Sequence, residues 1–192
     1  MTRFALPAVL LFALVACKPA EPPPPNPLLL AAAERDVAPN TTSFVTDGRL
    51  ASGFYFLVDS GYGYPRRHPD AKDLPADLVL YGTELMLFVD PSPIVTVGNF
   101  SNIMADEDMT GEPEVNLVMD EVGRVRWLVA TRRSVNKPLA IVVNDQVVSA
   151  PIVMSEIAGG HASIGMRQAT EQQTEDFARM LEHERTQVAP IR

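Results

Sequence analysis

Apolar and polar positions change period several times along the C-terminal half of the chain. In VNLVMD (115–120), Val115, Leu117 and Met119 fall on one side of a strand, because successive side chains point to opposite faces. The next stretch, EVGRVRWLVATRRSVN, has a helical period: Gly123, Trp127, Ala130 and Ser134 recur every three to four residues and predict a buried stripe. Asp120 stands where it can cap that helix. KPLAIVVNDQVVSAPIV (137–153) then reads as a hairpin whose strands are too apolar for an exposed ribbon. Asn144-Asp145 suits its two-residue turn, since both residues tolerate positive φ. Ala140, Val142, Val147 and Ser149, or their alternates, are expected to pack under the helices, and Pro151 ends the second strand. Two further short strands are expected around Gly159-Gly160. A closing helix starts at Thr170, with Gln173 completing a capping box and Phe177, Met180 and Leu181 on its apolar side.

Upstream, FYFLV (54–58) has the aromatic and β-branched content of a strand. A loop rich in Gly, Pro and charge follows. LVLYGTELMLFV predicts two strands broken at Gly82, and PSPIVTVGNFSNIMAD a short strand followed by a short helix from about Asn99. ADEDMTGEPE reads as an acidic turn. The elements together predict an α+β domain over 44–186, a small, mostly antiparallel sheet packed against two main helices, with a flexible tail at 187–192.

The first residues are of another kind. MTRF followed by an apolar run from Phe4 to Ala16 reads as a secretory signal over 1–16, too short to span a bilayer, which takes about 20 residues. It ends in Leu14-Val15-Ala16-Cys17, which resembles the lipobox of bacterial lipoproteins. That resemblance implies lipidation of Cys17, a membrane anchor through it and, with Lys18 following, sorting to an outer membrane facing the periplasm. Cys17 is the sole cysteine, so an internal disulfide is excluded. Residues 17–43 read as a linker. KPAEPPPPNP carries six prolines in ten residues, a semi-rigid spacer of about 3.1 Å per residue. Within the linker, LLLAAAERD is expected to form a short helix.

The formal net charge is −8, and removal of residues 1–16 takes away Arg3 and no acid, giving −9. Such a chain has no basic face for a nucleic-acid backbone and does not lie flat on anionic lipid. The chemistry is sparse. His68, His161 and His183 form no paired ligand spacing, and Asp106-Glu107-Asp108 lacks the pattern of a calcium loop, so no metal or other cofactor is expected. No serine sits in GxSxG and no glycine-rich loop matches a phosphate-binding fingerprint. Glu156 and Asp120 lie near strand ends without anything to single them out as an acid–base pair. The methionines read as core filling. No catalytic residue emerges, which weighs against an enzyme.

The stretch from Val115 to Leu181 resembles the head subdomain of the first periplasmic domain of SecD. The likeness rests on Val115-x-Leu117 running to Asp120-x-x-Gly123, on Trp127 and Thr131, on Leu139-Ala140-Ile141-Val142 leading into the turn, and on Val148-Ser149-Ala150-Pro151. Ile157, Gly159-Gly160 and the closing helix complete it. A weaker likeness continues upstream through FYFLVD and LMLFVDPSPIVTVGNFSNIMAD. Two departures stand out: Asn144-Asp145 replaces the Asp-Gly usual at the hairpin turn, and Gln168-Ala169-Thr170 replaces the usual Phe-Thr. The resemblance implies the fold and contact with polypeptide during Sec-dependent export.

The leading reading is therefore a lipid-anchored envelope module that binds extended polypeptide or an envelope protein without catalysis. Tyr62, Tyr64, Asp106, Glu107 and Asp108 are candidates for the rim of its binding surface. An envelope enzyme acting through loop carboxylates and a structural or immunity-type lipoprotein are the alternatives.

Overall fold

The computed structural model describes residues 22–37, 50–57, 78–79, 86–87, 89–90, 92–166 and 168–192. The signal, Cys17, His68 and Gly82 lie outside them. Among the described residues, three helices, α1 (Pro27–Asp36), α2 (Glu121–Arg133) and α3 (Glu171–Arg185), accompany nine strands. These are β1 (Gly53–Phe56), β2 (Leu78–Val79), β3 (Met86–Leu87), β4 (Val95–Thr96), β5 (Phe100–Glu107), β6 (Pro113–Met119), β7 (Leu139–Val143), β8 (Gln146–Ser149) and β9 (His161–Gly165). A four-stranded sheet runs β4-β1-β7-β8, a three-stranded sheet runs β5-β6-β9, and β2 pairs with β3; every pairing is antiparallel. This is the expected α+β class.

The main core joins both larger sheets to all three helices. Phe54, Phe56, Leu139, Ile141 and Val143 come from one sheet, and Phe100, Ile103, Val115, Leu117, Met119 and Ile164 from the other. Trp127, Val129, Ala178 and Leu181 close it from α2 and α3. Trp127 stacks tilted on Phe54 with ring centroids 4.5 Å apart, and Phe54 meets Phe100 edge-on at 6.1 Å.

β7 is buried on both faces, and of the two expected sets it is the alternate one that packs under the helices. Leu139, Ile141 and Val143 face the main core, whereas Ala140, Val142 and Val147 join Tyr55 and Val89 in a second cluster. A register shift pairs Ile141 with Ser149 but Val142 with Val147, so Val148 is the bulged residue and Ser149 does not share Val147's face. The turn is as predicted: Asn144 and Asp145 have φ of 49° and 66°.

α2 is also more buried than a stripe. Every residue from Gly123 to Thr131 is buried, including two arginines. Arg126 donates from Nε to the Ile94 carbonyl at 2.7 Å and from Nη2 to the Pro93 carbonyl at 3.1 Å, and burial holds its pKa below the usual arginine value, partly offset by the charge of Asp36. Arg124 pairs with Glu121 at 2.8 Å and donates to the carbonyls of Pro23 and Ala158. Its stem lies so close to Gly160 (φ 67°) that a Cβ there would sit 2.7 Å from Arg124 Cγ. Glycine is required at 160 by conformation and by space.

The other side of α2 is covered by α1. Asn26 caps this helix by accepting from the Leu28 amide at 3.0 Å, and Pro27 stands in its first turn. Ala33 and Val37 enter the main core, and Arg133 donates to the carbonyls of Glu34 and Val37. The linker expected over 17–43 thus contains an integral helix, seated by the burial of Ala33 and Val37 and by Arg133 on its last carbonyls. The segment expected as a flexible tail also lies against the fold: the backbone of Ile191 is held by the side chain of Asn99.

Two strand expectations are corrected. The helix expected from about Asn99 is a single 3-10 turn, Val97–Asn99, followed by the eight residues of β5. Of the two strands expected around Gly159-Gly160, only β9 forms; Ile152 and Val153 make isolated bridges to Pro138 and Val135.

Candidate functional site

β5 is an edge strand. Its partner β6 lies on one side, and among the described residues no strand pairs with the other. Such an edge presents unpaired backbone N–H and C=O groups. Beside it runs α3, which is anchored by the capping box of Thr170 and Gln173 and by Arg185 reaching the Phe100 carbonyl at 3.3 Å. Between them opens a groove of about 340 Å³ lined by Ile103, Ala105, Glu175, Ala178, Arg179 and Glu182. Its floor is small and apolar and its helical rim charged.

Among the described residues, no helix covers the outer face of the same sheet. The register brings Met104, Asn116 and Ser163 into one row across it, with Asn102, Val118 and His161 in the next. Met104, on the edge strand of this face, is 46% exposed.

The acidic rim candidates are split by the structure. Asp106 and Glu107 end β5, opposite Glu114 and Pro113. Asp106 accepts from Asn116 Nδ2 at 3.2 Å. Asp108 belongs to the turn, where Oδ1 accepts from the Thr110 and Glu112 amides at 2.7 and 3.0 Å. Met109 beside it is fully exposed. Tyr62 and Tyr64 lie outside the described residues. His161 and His183 are exposed, and no group of three or more metal-ligating side chains occurs among the described residues. Asp120 is occupied as the cap of α2, accepting from Gly123 at 2.6 Å, and Glu156 pairs with Arg132 at 2.9 Å on the surface. The two carboxylates noted near strand ends therefore have structural partners.

Sequence reasoning missed the groove because it read β5 as a helix. Phe100 pairs with Met119 and Ile103 with Leu117, both pointing inward, although they are three residues apart. The bulge at Ser101 produces that spacing, which imitates a helical period. The strict alternation of the partner strand at Val115, Leu117 and Met119 was the signal that an adjacent strand should exist.

No helix among the described residues is long and apolar enough to cross a membrane. The family model for the SecDF P1 head subdomain matches residues 77–184. The chain is 30% identical over 107 residues to the protein translocase subunit SecD of Acidaminococcus fermentans, covering 54% of this chain and 26% of that one. It is 31% identical over 83 residues to the protein translocase subunit SecDF of Thermus thermophilus, covering 43% of this chain and 11% of that one. The chain thus spans about a quarter or less of the curated relatives it matches. Among solved structures, one described as a membrane component SecDF that enhances protein export superposes with a TM-score of 0.51 at 18% identity, over 86% of this chain and 90% of that one. With a family match over more than half its length, the chain belongs to the SecDF P1 head subdomain family.

Proposed function

We propose that this chain is a lipid-anchored envelope protein, lipidated at Cys17, whose head domain binds extended polypeptide without catalysis and so assists protein export. The observation that carries the reading is the open edge of β5 above the groove against α3. An extended chain laid along that edge continues the sheet through main-chain hydrogen bonds, while the small apolar floor at Ile103, Ala105 and Ala178 takes alternate side chains. Asp106, Glu107 and Asp108 form the far rim, with Tyr62 and Tyr64 assigned to it from sequence. The acidic end also guards the edge against pairing with copies of itself. Relatives named as translocase subunits and a neighbour described as enhancing protein export support a polypeptide ligand.

The anchor suits this role. Arg124 holds the Pro23 carbonyl, so the spacer between lipid and domain runs only from Cys17 to Pro23, a span of at most about 20 Å at the polyproline rise of about 3.1 Å per residue. That keeps the groove near a membrane, on the periplasmic face of an outer membrane where the cell has one.

A soluble chain beginning at Pro22 and labelled with ¹⁵N tests the reading by titration with a capped peptide of alternating threonine and valine. Binding at micromolar to millimolar affinity, about 4–8 kcal/mol, should shift the amides of Ser101–Glu107. Silence of those amides at millimolar peptide would remove the β5 edge as a binding surface.

A further inference from the structure

The buried amide of Asn99 is engaged in an unusual way. It is fully inaccessible and lies in the 3-10 turn just before β5. Its Nδ2 donates to the Ile191 carbonyl at 3.1 Å and to Asp120 Oδ2 at 3.2 Å, while its Oδ1 accepts from the Ile191 amide at 3.0 Å. One side chain therefore takes both the N–H and the C=O of a single residue. Those two groups point to the same side when the residue is extended, as in a hydrogen-bonded pair of an antiparallel ladder. Asn99 reads Ile191 as a neighbouring strand would, through main chain alone. Asp120 fixes the amide's orientation from the N-terminus of α2.

The approach of the tail is shaped by Gly98. A Cβ there would stand 2.5 Å from the Val188 carbonyl oxygen and 2.9 Å from Ala189. The absence of a side chain opens the lane along which residues 188–191 run. The segment brings little apolar burial: Val188 and Ile191 are half-buried, and Ala189, Pro190 and Arg192 are exposed. Val188 is held by its amide on the Glu184 carbonyl at 3.0 Å and by packing on the main core, and Ile191 by the two-point polar contact with Asn99.

We propose that Asn99 and the Gly98 lane form a main-chain clamp for extended polypeptide, and that residues 188–192 occupy it in cis as a displaceable pseudo-ligand. When the tail leaves, Asn99 loses one donor contact and one acceptor contact, and any extended chain restores both. Asn99 and Gly98 meet only backbone groups of the tail, the Ile191 N–H and C=O and the Val188 carbonyl, so the side-chain selectivity they impose is low. The tail lowers apparent affinity by the fraction of molecules in which it is released. The class of ligand rests on the polypeptide-binding reading; the site is distinct from the β5 edge.

Deletion of residues 188–192 opens the clamp without altering Asn99, whereas Gly98→Ala places a methyl group in the lane and closes it to tail and peptide alike. Both, with the unaltered chain, are labelled with ¹⁵N and titrated with the threonine–valine peptide, following the Asn99 side-chain NH₂ resonances and the β5 amides separately. The clamp predicts that the Asn99 resonances move with peptide in the deletion variant, at about tenfold lower peptide concentration than in the unaltered chain, and stay unmoved in Gly98→Ala. It also predicts that excess peptide shifts the Ile191 amide of the unaltered chain, a readout that stands even where a variant fails to fold. Unmoved Asn99 signals in the deletion variant and an unmoved Ile191 signal in the unaltered chain, at millimolar peptide, overturn the clamp. If the β5 amides still respond, the edge reading survives that failure; if Asn99 responds and β5 does not, the clamp stands and the edge falls.

Discussion

Glu184 in the last turn of α3 takes both polar groups of Ser52: the Ser52 amide donates to Oε1 at 2.8 Å and its hydroxyl to Oε2 at 2.5 Å. The same hydroxyl accepts from the Asn144 amide at 3.2 Å. Ser52 is 1% exposed, so water offers no substitute for these contacts. One carboxylate therefore ties the end of the helix beside the groove to the start of β1 and to the turn of the β7–β8 hairpin.

Glu184→Ala should accordingly be costly. It leaves a buried amide and hydroxyl without their charged acceptor, a loss of about 2–4 kcal/mol. Urea unfolding of the chain from Pro22 measures this, and a double-mutant cycle with Ser52→Ala isolates the shared part. A change under about 0.5 kcal/mol, the range of ordinary surface substitutions, would show that the tie contributes nothing.

Tyr55 lies in the second cluster with its hydroxyl donating to the Ala51 carbonyl at 2.6 Å. Burial pushes its phenol well above the usual range, and the negative charges of Glu184 and Asp145 push the same way. The sign follows directly. Above about pH 10, the ordinary tyrosine value, the unfolded chain has released this proton and the folded chain still holds it. The unfolded state then binds fewer protons, so stability falls as pH rises from about 10 onward. Tyr55→Phe should flatten that fall while costing about 1 kcal/mol at neutral pH for the lost hydrogen bond. Denaturation midpoints across the alkaline range, compared between the two proteins, decide it; equal slopes would assign the alkaline loss to other groups.

The lipid anchor predicts a chemical difference. Cys17→Ser removes the only thiol in the chain. Metabolic labelling with a palmitate analogue should mark the unaltered protein and leave the variant unmarked and unprocessed. Equal label in both would exclude Cys17 as the attachment point.

The sequence was most legible where one residue type has one physical reading. Thr170 and Gln173 form the expected capping box, Asp120 caps α2, and Asn144-Asp145 adopts the positive φ that their short polar side chains permit. Legibility failed where a bulge breaks the period of two. Ser101 in β5 made a strand imitate a helix, and Val148 in β8 turned Ser149 away from Val147. It failed again where tertiary contact decides. Nothing in LLLAAAERD distinguishes a linker helix from one packed on α2, since that depends on the arginines Arg124 and Arg133 reaching the carbonyls of Pro23, Glu34 and Val37. The main-chain hold of Asn99 on Ile191, across 92 positions, has no local signature at all.

The facing of β7 gives the sharpest stability test. Val142 is fully buried among Ala140, Val147, Tyr55 and Val89, on the side of the sheet away from the helices. Val142→Asp places a carboxylate there with no cation in the cluster to pair with it, at a cost of several kcal/mol, comparable with the whole stability of about 5–15 kcal/mol of a typical domain. Val142→Ala removes two methyl groups instead and should cost only about 1–3 kcal/mol. Both variants must keep α1, because a chain cut after Pro39 would lose Ala33 and Val37 from the core and confound the comparison. The fluorescence of the single tryptophan, Trp127, buried in the other cluster, reports unfolding of the main core. Loss of the buried-tryptophan signal in Val142→Asp at room temperature, with a cooperative transition retained in Val142→Ala, is the expected pair of results. A Val142→Asp chain that melts like the unaltered protein would mean that the second cluster opens to solvent and that this face of the hairpin is a surface.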